Sequence, residues 1–193
     1  MPDEPHAPPQ QYEAMYRRSI EDPDGFWADE ARRLDWYREW DRVLDWDPPF
    51  ARWFPGGRLN ASYLCVDRHV NSWRRNKVAI YWEGEPGDTR AISYAELSRD
   101  VNRFASVLRG LGVGKGDAVA LYLPMVPELP AFMLACARLG ALHTVVFSGF
   151  SGQALADRIN DLNVKVLVTA DGGYRRGKVL PLNRADVDTD QII

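Results

Sequence analysis

The run from Asp171 to Lys178 gathers the cations Arg175, Arg176 and Lys178 among the glycines Gly172, Gly173 and Gly177. Guanidinium and ammonium groups make charge-assisted bonds to phosphate oxygens, and glycine lets a backbone turn sharply and approach such a ligand closely. The run therefore reads as a glycine-flanked basic loop able to hold a phosphate, although a solvated surface turn is the commoner use of so short a cluster. A second glycine-rich stretch, Gly110 to Gly116, invites the same comparison and fails it. It lacks the GxxxxGK-Ser/Thr spacing and follows a helical pattern where a phosphate loop would precede one, so it reads as a helix C-cap and turn. His6, His69 and His143 are isolated, and neither Cys65 nor Cys136 belongs to a CxxC pair, so no metal site is predicted.

The basic run needs an element to hold it. Val164 to Ala170 is a β-branched stretch of the kind that fills a strand buried on both faces, and open α/β sheets place ligands beyond the carboxyl ends of such strands. Upstream, strand and helix patterns alternate. Asn60 to Asn71 reads as a helix offering Leu64, Val66 and Val70 for burial, and Lys77 to Trp82 as a strand that returns through Pro86, Gly87 and Asp88 to Ala91 and Ile92. Ser93 and Glu96 have capping-box spacing for a helix reaching Leu111, with Leu97, Val101, Phe104, Ala105 and Leu108 inward. Ala118 to Leu123 is a buried strand, and Pro127 opens a helix that ends at Gly140. His143 to Phe147 is the next strand, and Ser151 caps a helix from Gln153 to Leu162. This alternation predicts an α/β fold, a parallel sheet with helices over both faces.

Residues 11–59 differ in character, being aromatic and charged, with Trp27, Trp36, Trp40, Trp46 and Trp53 together. Trp36 and Trp40 have the spacing of one helix face, and proline and glycine groups at 47–49 and 55–57 break the zone into short pieces. It reads as a helical, Trp-rich extension with little regular sheet, preceded by a disordered lead-in at residues 1–10. The 193-residue chain is 46% hydrophobic and 26% charged, as a globular protein is. A formal net charge of -3 argues against a general nucleic-acid surface. No apolar run is long enough for a membrane span, and no signal-peptide pattern opens the chain. Both cysteines read as buried free thiols, which fits a reducing compartment, so a cytoplasmic location is predicted.

Taken in order, ARWFPGGRLNASYLCVDRHV (51–70), KVAIYWEGEPGDTRAISYAELSRDVNRFASVLRGLGVGKGD (77–117), VALYLPMVPELPAFMLACARLGALHTVVFSGFS (119–151) and VLVTADGGYRRGK (166–178) resemble the AMP-forming acetyl-CoA synthetases of the acyl-CoA synthetase and adenylating superfamily. The resemblance runs from about Gln11 to Leu182. It implies that residues 11–59 are that family's amino-terminal extension and that residues 60–193 begin its AMP-binding, parallel-sheet adenylating domain. The reaction it implies is ligation of acetate to CoA: ATP gives acetyl-AMP and pyrophosphate, with magnesium accompanying the nucleotide, and the CoA thiol then displaces AMP.

The resemblance also assigns residues. Arg175 and Lys178 fall where the family holds the 3′-phosphate end of CoA, with Arg176 and Gly177 between them, and Phe147 and Gly149 match the segment beside the CoA adenine and pantetheine arm. Ser148 stands where many relatives have glycine, and Lys178 where several have arginine, which gives up bidentate geometry. The family's Ser/Thr/Gly-rich lysine loop for ATP, its acetate pocket and its carboxy-terminal lid with the catalytic lysine do not occur in the chain. The expectation is a truncated portion of a synthetase that carries part of the CoA site, contains no catalytic residue, binds no cofactor tightly and is inactive alone. Its partners would be the small-molecule substrates and the missing remainder of the enzyme, with no nucleic acid or membrane. The alternative is a non-catalytic CoA-binding or subunit-association fragment. An unfinished parallel sheet further predicts a partly folded, association-prone species in isolation.

Overall fold

The computed structural model describes residues 9–182, so most of the predicted lead-in and the closing segment from residue 183 onward lie outside the described residues. The chain divides into two units between Leu59 and Asn60.

In the first unit, α1 (Pro9–Glu21) is followed by α2 (Pro23–Ala31). Asp22 caps α2, its carboxylate accepting the Gly25 N–H at 3.1 Å. β1 (Leu44–Asp47) and β2 (Phe50–Trp53) then form an antiparallel hairpin. Trp36 and Trp40 meet edge to face at 5.0 Å, but not along a helix as their spacing predicts, because α2 has already ended at Ala31. Phe54 brings them together instead, its ring lying 5.7 Å from Trp36 and 5.1 Å from Trp40. The Trp36 indole N–H donates to the Ala31 carbonyl at 2.7 Å, which satisfies the polar edge of a half-buried ring.

The second unit opens with a helical segment whose middle, Tyr63–Asp67, is π-wound before it tightens into α3 (Arg68–Val70). The wider winding rotates the side chains off the expected face. Val66 is fully buried as its pattern predicts, whereas Cys65 is exposed, correcting the reading of two buried thiols; Cys136 is fully buried. β3 (Val78–Glu83) and β4 (Thr89–Ser93) form an antiparallel hairpin. Ser93 and Glu96 exchange both bonds of a capping box at the start of α4 (Tyr94–Gly110).

β5 (Ala118–Tyr122), β6 (Leu142–Val145) and β7 (Val164–Thr169) make a parallel sheet in the order β6-β5-β7. α5 (Glu128–Leu139) connects β5 to β6, and α6 (Gly152–Asp161), capped by Ser151, carries the chain across to the other side of β5. All five residues of β5 are buried, so its alternating side chains must serve two cores. Val119, Leu121 and Leu123 join a cluster with α4 and α5, while Ala118, Ala120 and Tyr122 join one with Leu155 and Ile159 of α6. Helices therefore cover both faces, the α/β arrangement that the alternation predicts. Among the described residues no helix is long and apolar enough to cross a membrane.

Candidate functional site

Beyond the carboxyl end of β7 the backbone does not open into a basic loop. It forms a β-hairpin, β8 (Gly172–Arg175) with β9 (Lys178–Pro181), whose two-residue turn is Arg176 and Gly177. Both turn residues take positive φ, 52° and 73°, as the tightest hairpin turn with right-handed strand twist requires. Glycine adopts that conformation without strain, and an arginine in the first position conceals the usual Asn-Gly signature.

The hairpin determines where the cations point. Arg175 and Lys178 are direct cross-strand partners, so their side chains leave the same face, while Tyr174 and Val179 leave the other. Two like charges side by side repel, and an anion between them removes that cost. Among the described residues neither Arg175 nor Lys178 makes an ion pair. Arg176 sits at the exposed apex, and the Gly177 N–H donates to the Glu85 carboxylate at 2.5 Å. That bond ties the hairpin tip to the turn between β3 and β4.

Arg175 is only half exposed because it lies over aromatic and bare surfaces. Its guanidinium carbon stands 4.9 Å from the centre of the Phe147 ring. A Cβ added to Gly149 would fall 1.9 Å from Arg175 Nη1, so the guanidinium occupies the space that the glycine leaves open. Stacking holds the guanidinium plane and leaves its N–H edge for a ligand. The structure thus brings Phe147, Gly149 and Arg175 into contact, sets Lys178 beside Arg175, and uses Arg176 and Gly177 to make the turn.

Arg175 also separates two recesses at the carboxyl edge of the sheet. One, of about 450 Å³, is bounded by Trp82 to Asp88 of the β3–β4 hairpin, by Pro124 to Val126 after β5, by Phe147 and Ser148 after β6, and by β8 and β9. The Trp82 indole N–H donates to the Met125 carbonyl at 2.7 Å and fixes two of those walls together. The other, of about 290 Å³, is lined by Tyr122, Ser148, Gly149, Phe150 and Arg175 among others. Sequence reasoning missed Glu85, Trp82 and Tyr122. The first two are joined to the site by long-range contacts that leave no local pattern, whereas a tyrosine hydroxyl ending an otherwise apolar strand does signal a buried partner. Among the described residues no group of three or more His, Cys, Asp or Glu gathers to hold a metal. His143, half-buried in β6, has its imidazole pushed below the ordinary value by burial.

Residues 12–65 match the family described as the acetyl-coenzyme A synthetase N-terminus, and residues 66–192 match that described as AMP-binding enzyme. The chain belongs to the AMP-binding enzyme family. Within it the chain is similar to the acetyl-coenzyme A synthetases. The acetyl-coenzyme A synthetase of Rubrobacter xylanophilus is 59% identical over 175 residues, 90% of this chain and 27% of its own length. That of Pyrobaculum aerophilum is 52% identical over 186 residues, 92% of this chain and 28% of its own. That of Deinococcus radiodurans is 53% identical over 172 residues, 89% and 26%. The chain thus spans about a quarter of the length of the curated acetyl-CoA synthetases it matches. In this chain the two matched regions join at Cys65 and Val66, inside the π-wound turn.

Proposed function

We propose that this chain contributes the CoA-nucleotide part of the site of an acetate–CoA ligase, which makes acetyl-CoA from acetate, ATP and CoA through acetyl-AMP. The observation that carries the proposal is the Arg175 guanidinium stacked on Phe147 and seated against Gly149, with Lys178 leaving the same hairpin face. The Arg175 fork and the Lys178 point charge receive the 3′-phosphate, and the Phe147 ring and the Gly149 backbone flank the adenine and the pantetheine arm. Arg176 and Gly177 shape the turn between the two phosphate ligands. These residues bind and orient. In the adenylation step acetate attacks the α-phosphorus of ATP, brought with magnesium, and expels pyrophosphate; in the second step the CoA sulfur attacks the acetyl carbon and AMP leaves. The free thiols of Cys65 and Cys136 support a reducing, cytoplasmic setting.

Calorimetry with CoA and with 3′-dephospho-CoA tests the reading. Tighter binding of CoA, lost in Arg175→Ala and reduced in Lys178→Ala, is expected; equal affinity for the two ligands removes the basic hairpin from the site. A polypeptide of these 193 residues is expected to release no acetate-dependent pyrophosphate, and turnover like that of a complete synthetase would overturn its assignment as a binding portion.

A second reading, a subunit-association piece, has its own observation. β6 is an outer strand of the sheet and leaves Leu142 58% and Val145 44% exposed, a surface suited to a further strand or helix. Co-expression with the remaining sequence of a synthetase should then restore ligase activity, and failure of the two to associate would count against it.

A further inference from the structure

We propose that Tyr122 is a positioning residue for the anion site, acting through the backbone on either side of Gly149; the inference rests on the CoA reading above. Tyr122 ends the central strand β5, is only 4% exposed and packs in the α6-side core. The hydroxyl reaches the Ser148 carbonyl at 3.2 Å and the Phe150 carbonyl at 3.3 Å. A phenol has one proton, so the two acceptors share it, which explains two long bonds in place of one short one.

The shared donor clasps the carbonyls of the two residues on either side of Gly149. The same segment is closed by the Phe150 N–H donating to the Phe147 carbonyl at 3.0 Å, so residues 147–150 form a turn held from inside and from below. The height of the Gly149 backbone decides whether the guanidinium fits, because even a Cβ there would lie 1.9 Å from Arg175 Nη1 and 2.8 Å from the Phe147 ring. Tyr122 therefore governs the shelf on which Arg175 rests through the 147–150 backbone.

Tyr122→Phe removes the shared proton and keeps the ring in its core. In the variant, the amides of residues 148–150 should exchange with deuterium several times faster than in the parent chain while β5 and α6 exchange as before. CoA should bind about fivefold more weakly, as expected for one net hydrogen bond, and 3′-dephospho-CoA should be nearly unaffected, so the ratio of the two affinities falls. A general loss of structure would instead weaken both ligands alike and speed exchange across β5, and that result overturns the inference. Unchanged exchange at 148–150, or an unchanged affinity ratio, also overturns it while leaving the CoA reading intact. If the parent chain itself fails to prefer CoA over its dephospho form, the CoA reading falls and this inference with it.

Discussion

Gly149→Ala separates binding from folding more cleanly than any other change at this site. The added methyl would stand 1.9 Å from Arg175 Nη1, 2.9 Å from Arg175 Cζ and 2.8 Å from Phe147 Cε1. Non-bonded heavy atoms settle at about 3.5–4.0 Å, so the guanidinium must retreat by about 1.5 Å or more. What retreats is the far end of a flexible side chain together with the half-exposed Phe147 ring, and Gly149 does not have the positive φ that would strain an alanine. The cost to the fold is then roughly the stacking of Arg175 on Phe147, about 0.5–1 kcal/mol for an exposed pair. The cost to binding is larger, because a hydrogen bond to a charged group is worth about 1.5–3 kcal/mol, and about 1.4 kcal/mol is tenfold in affinity. Calorimetry on parent and variant should show CoA affinity falling at least about tenfold, that of 3′-dephospho-CoA changing little, and a urea midpoint near the parent value. Full retention of CoA preference, in a folded variant, would refute the claim that the seated guanidinium reads the phosphate. A loss of several kcal/mol of stability would refute the claim that the guanidinium yields.

Three further outcomes follow from other contacts. Arg138 donates to Asp67 at 2.6 Å and to Ser62 Oγ at 3.2 Å, with the Arg138 and Asp67 side chains only 19% and 29% exposed. Arg138→Met strands that carboxylate, and urea unfolding should show a loss of about 2–3 kcal/mol. Asp117 accepts the Gly114 N–H and then the Lys165 ammonium, which together hold its carboxyl below the usual range. A carboxylate with a depressed folded pKa adds stability above its unfolded value, about 3.9, and loses it as pH falls toward the folded one, so the acid limb of stability should flatten in Asp117→Asn and an unchanged limb would contradict the assignment. Burial pushes the Cys136 thiol up to about 11 while Cys65 is exposed, so a disulfide reagent at neutral pH should titrate one thiol rapidly in the native chain and both in denaturant.

The strands and helices of the second unit were legible because their signals are local. The Ser93 and Glu96 pair sits three residues apart, Ser151 stands next to the helix it caps, and five consecutive buried side chains mark β5. Legibility failed where a distant group decides the outcome. Trp36 and Trp40 meet because Phe54 lies between them, not because they share a helix. Cys65 is exposed because π winding breaks the periodicity that would bury it. The basic run looked like a loop because an arginine, in place of asparagine or aspartate, occupies the first left-handed position of its hairpin turn. Residue types at the site could be read, but not the shelf of Phe147 and Gly149 under Arg175, nor the Glu85 bond that steadies the hairpin tip.

The strand order β6-β5-β7 has a consequence for how such a constellation can be altered. Tyr122 ends β5, the 147–150 turn follows β6 and Arg175 lies in the hairpin that follows β7, so the register of the three-stranded ladder and of that hairpin sets their spacing, and the lengths of α5 and α6 do not. Residues could be inserted on the opposite rim of the sheet, where those helices return, without moving the three points. Conversely, a single-residue slip of β7 against β5 would carry the arginine out of reach while leaving every helix in place.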